Sequence, residues 1–166
     1  MEVTNDPQKI GQALNWIISL LNRHHVPYQI VGGLAAKAYG ATRPLVDIDI
    51  YVPMEQAQAA IEEMKPYVVR EPLPHKSDSW DLIYMALEYD NIWIELGDTT
   101  TNPSFYNRRD QRWEPQIIDF ARSNTINLYG TEVHIMPKDE LISYKAMLDR
   151  PVDHQDLLEI AGDKIV

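Results

Sequence analysis

Two aspartates one residue apart, Asp47 and Asp49, lie inside an apolar run that also contains Ile48 and Ile50. In a β-strand alternate residues point to the same face, so the two carboxylates share one face and the isoleucines share the other. Ionised carboxylates are expensive to remove from water and are rarely buried without a partner. The pattern therefore predicts a strand whose isoleucines face the core and whose carboxylates face a shared site.

A second apolar run carries a third carboxylate. Ile92, Ile94 and Leu96 alternate along it, which places Glu95 on the opposite face beside Trp93. If this strand neighbours the one with the two aspartates, three carboxylates meet, and their repulsion is relieved by protonation or by a cation. Oxygen ligands without sulfur favour Mg²⁺ or Mn²⁺. Two such ions suit phosphoryl or nucleotidyl transfer.

A glycine pair lies just before the two aspartates in the sequence. Gly32 and Gly33 follow a short predicted strand over residues 28–31 and precede an alanine-rich helix predicted over residues 34–39. Backbone N–H groups and the positive end of a helix attract anions, and glycine lets a phosphate approach the backbone. The GxxxxGK[ST] and GxGxxG patterns are both absent. The position of the pair, close to the aspartates, is what indicates a phosphate site.

The strings IVGGLAAKAYGATRPLVDIDIYV and IWIEL together resemble the nucleotidyltransferase superfamily that includes DNA polymerase β. That superfamily carries an hGG or hGS turn, a DxD on the next strand and a third Asp or Glu on a later strand. The likeness is greatest to small bacterial members, including lincosamide and aminoglycoside nucleotidyltransferases and those of toxin–antitoxin pairs. The string MPKDELISYKAMLDRPVDHQDL also resembles their tail, in which a helical lysine precedes an R…D…D segment.

The resemblance implies a metal-dependent transfer of NMP, AMP being the first candidate, from a nucleoside triphosphate to a hydroxyl with release of pyrophosphate. The carboxylates would hold two Mg²⁺ or Mn²⁺ ions, the glycines would bind the β- and γ-phosphates, and two basic side chains would contact triphosphate oxygens. Whether Glu95 also takes the hydroxyl proton stays open, as does the acceptor, a small molecule or a protein. The assigned catalytic and metal-binding residues are Asp47, Asp49 and Glu95, and the assigned nucleotide contacts are Gly32, Gly33, Arg43 and Lys145.

Other interpretations stay open beside this one. The chain could keep the fold as a binding protein without turnover, for example in a toxin–antitoxin pair, or the carboxylates could form a structural Ca²⁺ site in an unrelated α+β domain. The presence of all three carboxylates favours the enzyme. Arg43 could instead pair with a nearby acid, and Lys145 could lay its stem on apolar surface. Asp153 is expected to cap the last helix and Asp156 to favour its first turn.

The elements that position these residues alternate irregularly between helix and strand. This order favours an α+β fold, a mixed sheet of the nucleotidyltransferase type flanked by helices. We expect a single domain over residues 1–166, with a core of about residues 1–136 and a C-terminal helical tail of about residues 137–166. Helices are predicted over residues 7–24, 34–39, 53–65, 137–148 and 153–161, and strands over residues 28–31, 48–52, 68–73, 80–89, 92–96, 126–129 and 132–136.

Two features of the middle of the chain complete this prediction. The prolines around residues 68–73 indicate a strand at a sheet edge. Residues 97–115 are polar and are predicted to form the longest loop. Because residues 97–125 match no part of the family pattern, acceptor recognition is expected there.

Composition narrows the class of partner. The 166 residues suit one domain with a sizeable core, and 25 acidic against 15 basic residues give a formal net charge of −10. Such a charge argues against nucleic acid as a partner. Without cysteine there is no disulfide and no sulfur-ligated metal. No signal peptide or membrane span is recognisable, so a cytoplasmic location is expected, and nothing indicates the oligomeric state.

Overall fold

The structure, a computed structural model, describes residues 3–162. Within these residues the order of five α-helices and nine β-strands is mixed, which confirms the predicted α+β class. None of the helices between residues 3 and 162 is both long and apolar enough to cross a lipid bilayer. The helices are α1 (Pro7–Arg23), α2 (Gly32–Ala38), α3 (Gln58–Met64), α4 (Lys138–Leu148) and α5 (Pro151–Ile160). The strands are β1 (Gln29–Val31), β2 (Asp47–Val52), β3 (Val68–Lys76), β4 (Trp80–Tyr89), β5 (Ile92–Asp98), β6 (Ser104–Asn107), β7 (Arg112–Pro115), β8 (Asn124–Leu128) and β9 (Thr131–Ile135).

The nine strands form one mixed sheet. Its order is β7-β6-β4-β5-β2-β1-β9-β8, and β3 pairs with β4 beside this path. The pairs β2–β5 and β1–β9 are parallel, and the other described strand pairs are antiparallel. β3 pairs with no other described strand, which agrees with the edge position predicted from its prolines. The predicted mixed sheet is therefore confirmed.

The central strands divide their residues between a core face and a site face, which is the face that carries Asp49 and Glu95. On the core face Ile48, Ile94 and Leu96 are fully buried, as the alternation predicted. Each such side chain contributes about 1.5–3 kcal/mol to stability relative to an exposed one. The core residues therefore hold β2 and β5 in place, while the site face stays available for polar groups.

The first helix follows directly from local sequence. Asp6 caps it, because its Oδ1 accepts a hydrogen bond from the N–H of Gln8 at 2.9 Å, and Pro7 occupies the first helical position. The helix contacts β5 and β9. Its apolar stripe joins the same core cluster as the central strands. The buried side chains of this helix are Ile10, Ala13, Leu14, Ile17, Ile18, Leu20 and Leu21.

The helix predicted over residues 53–65 is wrong as one element. The chain instead forms a 3₁₀ turn, Met54–Gln56, before α3 begins. The N–H of Met54 donates to a carboxylate oxygen of buried Asp98 at 2.9 Å, and the N–H of Ala57 donates to the Met54 carbonyl. This tighter i→i+3 bond ends the turn, so the contact with Asp98, far away in sequence, decides where the helix starts.

The long loop predicted over residues 97–115 is also wrong. β5 continues to Asp98, and β6 and β7 form a hairpin. The hairpin is tied to the end of α4, because the Arg108 guanidinium donates to the Leu148 carbonyl at 2.8 Å and to Ser79 Oγ at 3.0 Å. These tertiary hydrogen bonds stabilise strands that are too short and too polar to be recognised from alternation.

Asp98 is the buried acid that organises the segment between β2 and α3. Its carboxylate accepts hydrogen bonds from the N–H of Met54, from the N–H of Thr100 at 3.1 Å and from the hydroxyl of Thr101 at 2.8 Å. Burial alone would raise the pKa of Asp98, but these hydrogen bonds outweigh burial and lower it. The ionised form is therefore the one that the fold stabilises.

We expect Asp98→Ala to lower the free energy of unfolding by about 2–4 kcal/mol at neutral pH, because buried N–H donors lose their acceptor. Since the folded pKa is depressed, the contribution is present above the unfolded pKa of about 4 and is lost as the pH falls below it. Urea denaturation at about pH 7 and pH 3 measures both effects. Asp81→Asn, at an exposed carboxylate 3.7 Å from Lys76, is the control and should change stability by less than about 0.5 kcal/mol. Equal stability of Asp98→Ala and wild type at neutral pH would contradict this role.

Candidate functional site

The parallel register of β2 and β5 brings the three predicted carboxylates together. Asp49 lies directly opposite Glu95, and Asp47 lies two residues earlier on the same face of β2. One carboxylate oxygen from each residue lies within 4.8 Å of the corresponding oxygens of the other two. Their predicted proximity is confirmed, while their chemical roles stay predictions.

The electrostatics of this triad are unfavourable in the absence of a cation. Burial, followed by the negative charge of Glu95, raises the pKa of Asp47 to about 6. Burial also raises the pKa of Asp49 well above its usual value, and the charges of Asp47 and Glu95 add to that effect. All three residues stay partly exposed. A proton or a cation from solution can therefore relieve the repulsion.

The third carboxylate is oriented by its own strand. The indole Nε1 of Trp93 donates a hydrogen bond to Oε1 of Glu95 at 3.1 Å. Both residues lie on the site face of β5, and Trp93 lies opposite Asp47 of β2. Trp93 therefore limits the orientations open to Glu95.

The two glycines are required by how closely the site is packed. Gly32 has a φ of +66°, in the left-handed region, and a Cβ at this position would lie 2.5 Å from Oδ2 of Asp49. A Cβ at Gly33 would lie 3.0 Å from Nη2 of Arg43. The turn between β1 and α2 thus lies directly against one triad carboxylate and one cation.

Two aspartates of α5, both fully buried, bind three cations that line the site. Arg43 makes a forked contact with Asp156, through Nε at 2.7 Å and Nη2 at 2.9 Å. The Nζ of Lys145 lies 2.9 Å from Asp156 and 3.3 Å from Asp153. Arg150 Nε donates to Asp153 at 2.7 Å. The five side chains form one ion-pair network, which we call the α5 network.

The α5 network decides between the earlier interpretations of its members. Arg43 does pair with an acid, and Lys145 buries its ammonium group in ion pairs rather than only its stem. Asp153 is not the N-cap of α5, because the helix begins two residues earlier and Arg150 is its N-cap; Asp153 is instead the third helical residue, and its Oδ2 accepts the Arg150 N–H at 3.1 Å, as in a capping box. The expectation that Asp156 serves the first turn of the last helix is wrong. It lies in the second turn and binds the two cations instead.

A pocket of about 590 Å³ joins these parts. All seven residues assigned from the sequence line it, including Arg43 and Lys145. Of residues 97–125, all of which the structure describes, only Gly97 lines this pocket, and acceptor recognition by this region stays a prediction. The β3–β4 hairpin lines one wall of the pocket, through residues between 75 and 84.

Sequence reasoning missed the aromatic lining of the pocket. Tyr51 follows Asp47 and Asp49 at the same alternation, and Tyr84 lies opposite Gly97 on the site face. The alternation could have indicated Tyr51. Tyr144 reaches the pocket from α4, where its hydroxyl accepts a hydrogen bond from Trp80 Nε1 at 2.7 Å, and only tertiary packing brings it there.

Comparison with solved structures identifies the fold, although no family model and no curated protein matches the sequence. A candidate nucleotidyltransferase from Thermotoga maritima has a TM-score of 0.71 at 17% identity, over 92% of this chain and 91% of that one. The lincosamide antibiotic adenylyltransferase LnuA, with lincomycin bound, has a TM-score of 0.63 at 15% identity, over 97% and 99%. The antibiotic-resistance factor ANT(2'')-Ia has a TM-score of 0.54 at 16% identity, over 90% and 80%. The chain has the fold of nucleotidyltransferases, as the resemblance implied.

Between about pH 4 and 6 we expect the triad to make the metal-free protein less stable as the pH rises. Because the pKa of Asp47 is raised to about 6 and that of Asp49 is raised as well, the folded protein binds more protons here than the unfolded chain does. The extra stability that these bound protons give the folded protein is fully present below an unfolded pKa of about 4. It is lost as the pH rises through the pKa values of Asp47 and Asp49 in the folded protein. Urea denaturation with EDTA at about pH 4.5 and 6.5 measures it. Asp49→Asn should weaken this dependence of stability on pH. If the variant lost stability more steeply than the wild type as the pH rises, repulsion within the triad would not be the cause.

We expect Asp156→Ala to lower the free energy of unfolding by about 3–5 kcal/mol, because it leaves two cations without their shared carboxylate in the protein interior. The matched control is Glu62→Gln, which removes an exposed ion pair with Lys65 and should have an effect below about 0.5 kcal/mol. Chemical denaturation of both variants measures the difference. Similar small effects in the two variants would show that the α5 network is not needed for stability.

Proposed function

We propose that this protein, which has the nucleotidyltransferase fold, transfers NMP from a nucleoside triphosphate to a hydroxyl and releases pyrophosphate. The observation that carries the proposal is the convergence of Asp47, Asp49 and Glu95 within 4.8 Å on the site face. LnuA is an adenylyltransferase, so AMP is the first nucleotidyl group to test. The residues around the triad support the same chemistry.

The triad has the donor set that Mg²⁺ or Mn²⁺ prefers, namely carboxylate oxygens without nitrogen or sulfur. The raised pKa values of Asp47 and Asp49 indicate that the negative charge of the triad lacks compensation within the protein, which favours a divalent cation. We infer that Asp47 and Asp49 would hold two ions and that Glu95 would complete one of them. When bound, such ions neutralise phosphate charge and activate the attacking and leaving oxygens of an in-line displacement.

The α5 network supports an anionic ligand beside the triad. Its three cations, Arg43, Lys145 and Arg150, outnumber its two carboxylates by one positive charge. Arg43 keeps 15% of its side chain exposed, whereas Lys145 keeps 2%. We therefore assign Arg43 to direct contact with the triphosphate and Lys145 to the positive field behind it.

The glycine turn completes the nucleotide half of the pocket. The backbone of Gly32 and Gly33 would bind the β- and γ-phosphates, since both glycines line the pocket and have no side chain of their own to hinder a phosphate. The fork from Asp156 holds the Arg43 guanidinium against Gly33. The pyrophosphate leaving group would therefore lie on the glycine side of the triad.

The reaction is tested by incubating the protein with each α-labelled nucleoside triphosphate and Mg²⁺ and measuring pyrophosphate and labelled products. We expect Asp49→Asn to lower the rate more than about a hundredfold, because it removes a carboxylate that would hold the metal. EDTA should abolish the reaction. The exposed-carboxylate variant Asp81→Asn should retain the wild-type rate.

Two results would contradict the proposal. One is the absence of nucleotide binding by calorimetry, with and without Mg²⁺. The other is nucleotide binding without turnover, together with a biological activity that survives Asp49→Asn. The second result would favour the alternative role, a nucleotidyltransferase fold that binds without catalysis.

A further inference from the structure

The parts of the pocket follow one direction across the sheet. The glycine turn leaves β1, the two aspartates lie on β2, and Glu95 lies on β5. Tyr84 and Leu82 of β4 come next, and His75 of β3 lies opposite Leu82 at the far end. Neighbouring strands are about 4.8 Å apart, so the β4 side chains lie about one strand spacing beyond Glu95.

This order gives the proposed reaction a direction. In an in-line displacement the attacking and leaving oxygens lie on opposite sides of the α-phosphorus. With pyrophosphate on the side of Gly32 and Gly33, the acceptor hydroxyl must approach from the β4 side. Glu95 is the triad carboxylate on the strand adjacent to β4. The acceptor therefore has to bind against the β3–β4 hairpin.

The part of this wall that β4 provides is aromatic and apolar, whereas the turn between β3 and β4 lines the pocket with the polar residues Ser77, Asp78 and Ser79. Tyr84 and Leu82 are half-buried and line the pocket. Two residues of the adjacent strand β3 contact the Tyr84 ring. The Arg70 guanidinium lies 4.4 Å from the ring centroid, and the His75 ring meets it edge-on at 5.4 Å between centroids. Tyr51 extends the wall, with its ring packed against Gly97. Such a surface favours the face of a ring.

The same wall has few carboxylates that could bind a polycation. Among the acidic residues that the structure describes, only Asp78 lines the pocket in addition to the triad. Its side chain is 89% exposed and lies 3.5 Å from the Arg108 guanidinium. An exposed carboxylate that already has a cationic neighbour contributes little affinity for further positive charge. The volume of about 590 Å³ is that of a site for small molecules.

We propose that the acceptor is a small hydroxylated ring compound of low positive charge, with an apolar or aromatic face that packs on Tyr84 and Leu82. This inference rests on the proposed nucleotidyl transfer. It names the class of the acceptor and the part of the pocket that binds it.

The first test compares three acceptors in the presence of ATP and Mg²⁺. Lincomycin and phenyl β-D-glucopyranoside are hydroxylated ring compounds with apolar portions and little or no positive charge, whereas tobramycin is a polycation. We expect at least one of the first two to increase pyrophosphate release about tenfold or more over water and to gain the mass of AMP. Tobramycin should not do so.

The second test assigns the binding wall. Tyr84→Ala should raise the KM for the accepted compound about tenfold, because it removes ring stacking, while the KM for ATP stays within about twofold. Tyr84→Phe keeps the ring and should leave both constants nearly unchanged. Tyr106→Ala is the matched control, since Tyr106 is an aromatic residue of β6 that packs on Trp113 outside the pocket lining. If Tyr84→Ala fails to fold, Tyr84→Leu provides the same comparison with apolar bulk retained.

The outcomes separate this inference from the function on which it rests. Modification of tobramycin but of neither ring compound would overturn it, and so would labelling of a protein when neither ring compound is modified. An unchanged acceptor KM in Tyr84→Ala would also overturn it. In each of these cases ATP binding and its dependence on Asp49 would leave the proposed nucleotidyl transfer standing. Absence of ATP binding would instead remove the proposed function first.

Discussion

Mutual repulsion among Asp47, Asp49 and Glu95 is the constraint around which the site is arranged. Their carboxylate oxygens lie within 4.8 Å of one another, and burial raises the pKa values of both aspartates. The positive charges of Arg43 and Arg150 act on Asp47 in the opposite direction. These cations are bound to carboxylates of α5, so they do not neutralise the triad. The repulsion within the triad is therefore left to be relieved by a proton or a cation from solution.

Strand register is what makes the triad possible. β2 and β5 are parallel, so the residues between them, including α3, β3 and β4, return the chain to the end of the sheet at which β2 begins. Asp49 and Glu95 are directly opposite in this register. A shift of one residue would place Ile94 or Leu96 on the site face and the carboxylate in the core. The buried isoleucines of both strands therefore keep the three carboxylates on the site face and also stabilise the fold.

The C-terminal helices belong to the site and are more than an appendage to it. Asp156 of α5 binds Arg43, which is 113 residues earlier in the chain. α4 contributes Tyr144 and Lys145 to the same pocket. The triad lies on the sheet, whereas the cations of the α5 network come from the loop between α2 and β2, from α4 and from the residue before α5, so the pocket has a negatively charged side and a positively charged side. The β3–β4 hairpin lines a further side of the pocket, the side from which we propose that the acceptor approaches.

The sequence by itself determined what depends on local periodicity. Alternation along β2 put Asp47 and Asp49 on one face with Ile48 and Ile50 on the other, and helical spacing located α1 with its cap at Asp6. These predictions hold because they require only the geometry of one element. The polar β6–β7 hairpin and the break before α3 were not predictable in this way, because contacts from distant residues stabilise them.

Only the tertiary structure decided which elements meet. Alternation placed Glu95 on a face, but the parallel register with β2 placed it opposite Asp49. The spacing of Lys145 and Asp156 suggested a covered stem and a favourable helix end, whereas both are buried in one ion-pair network. The physical reason is that strand faces and helix stripes follow from a few neighbouring residues. Register, ion-pair partners and pocket walls follow from packing between segments far apart in the chain.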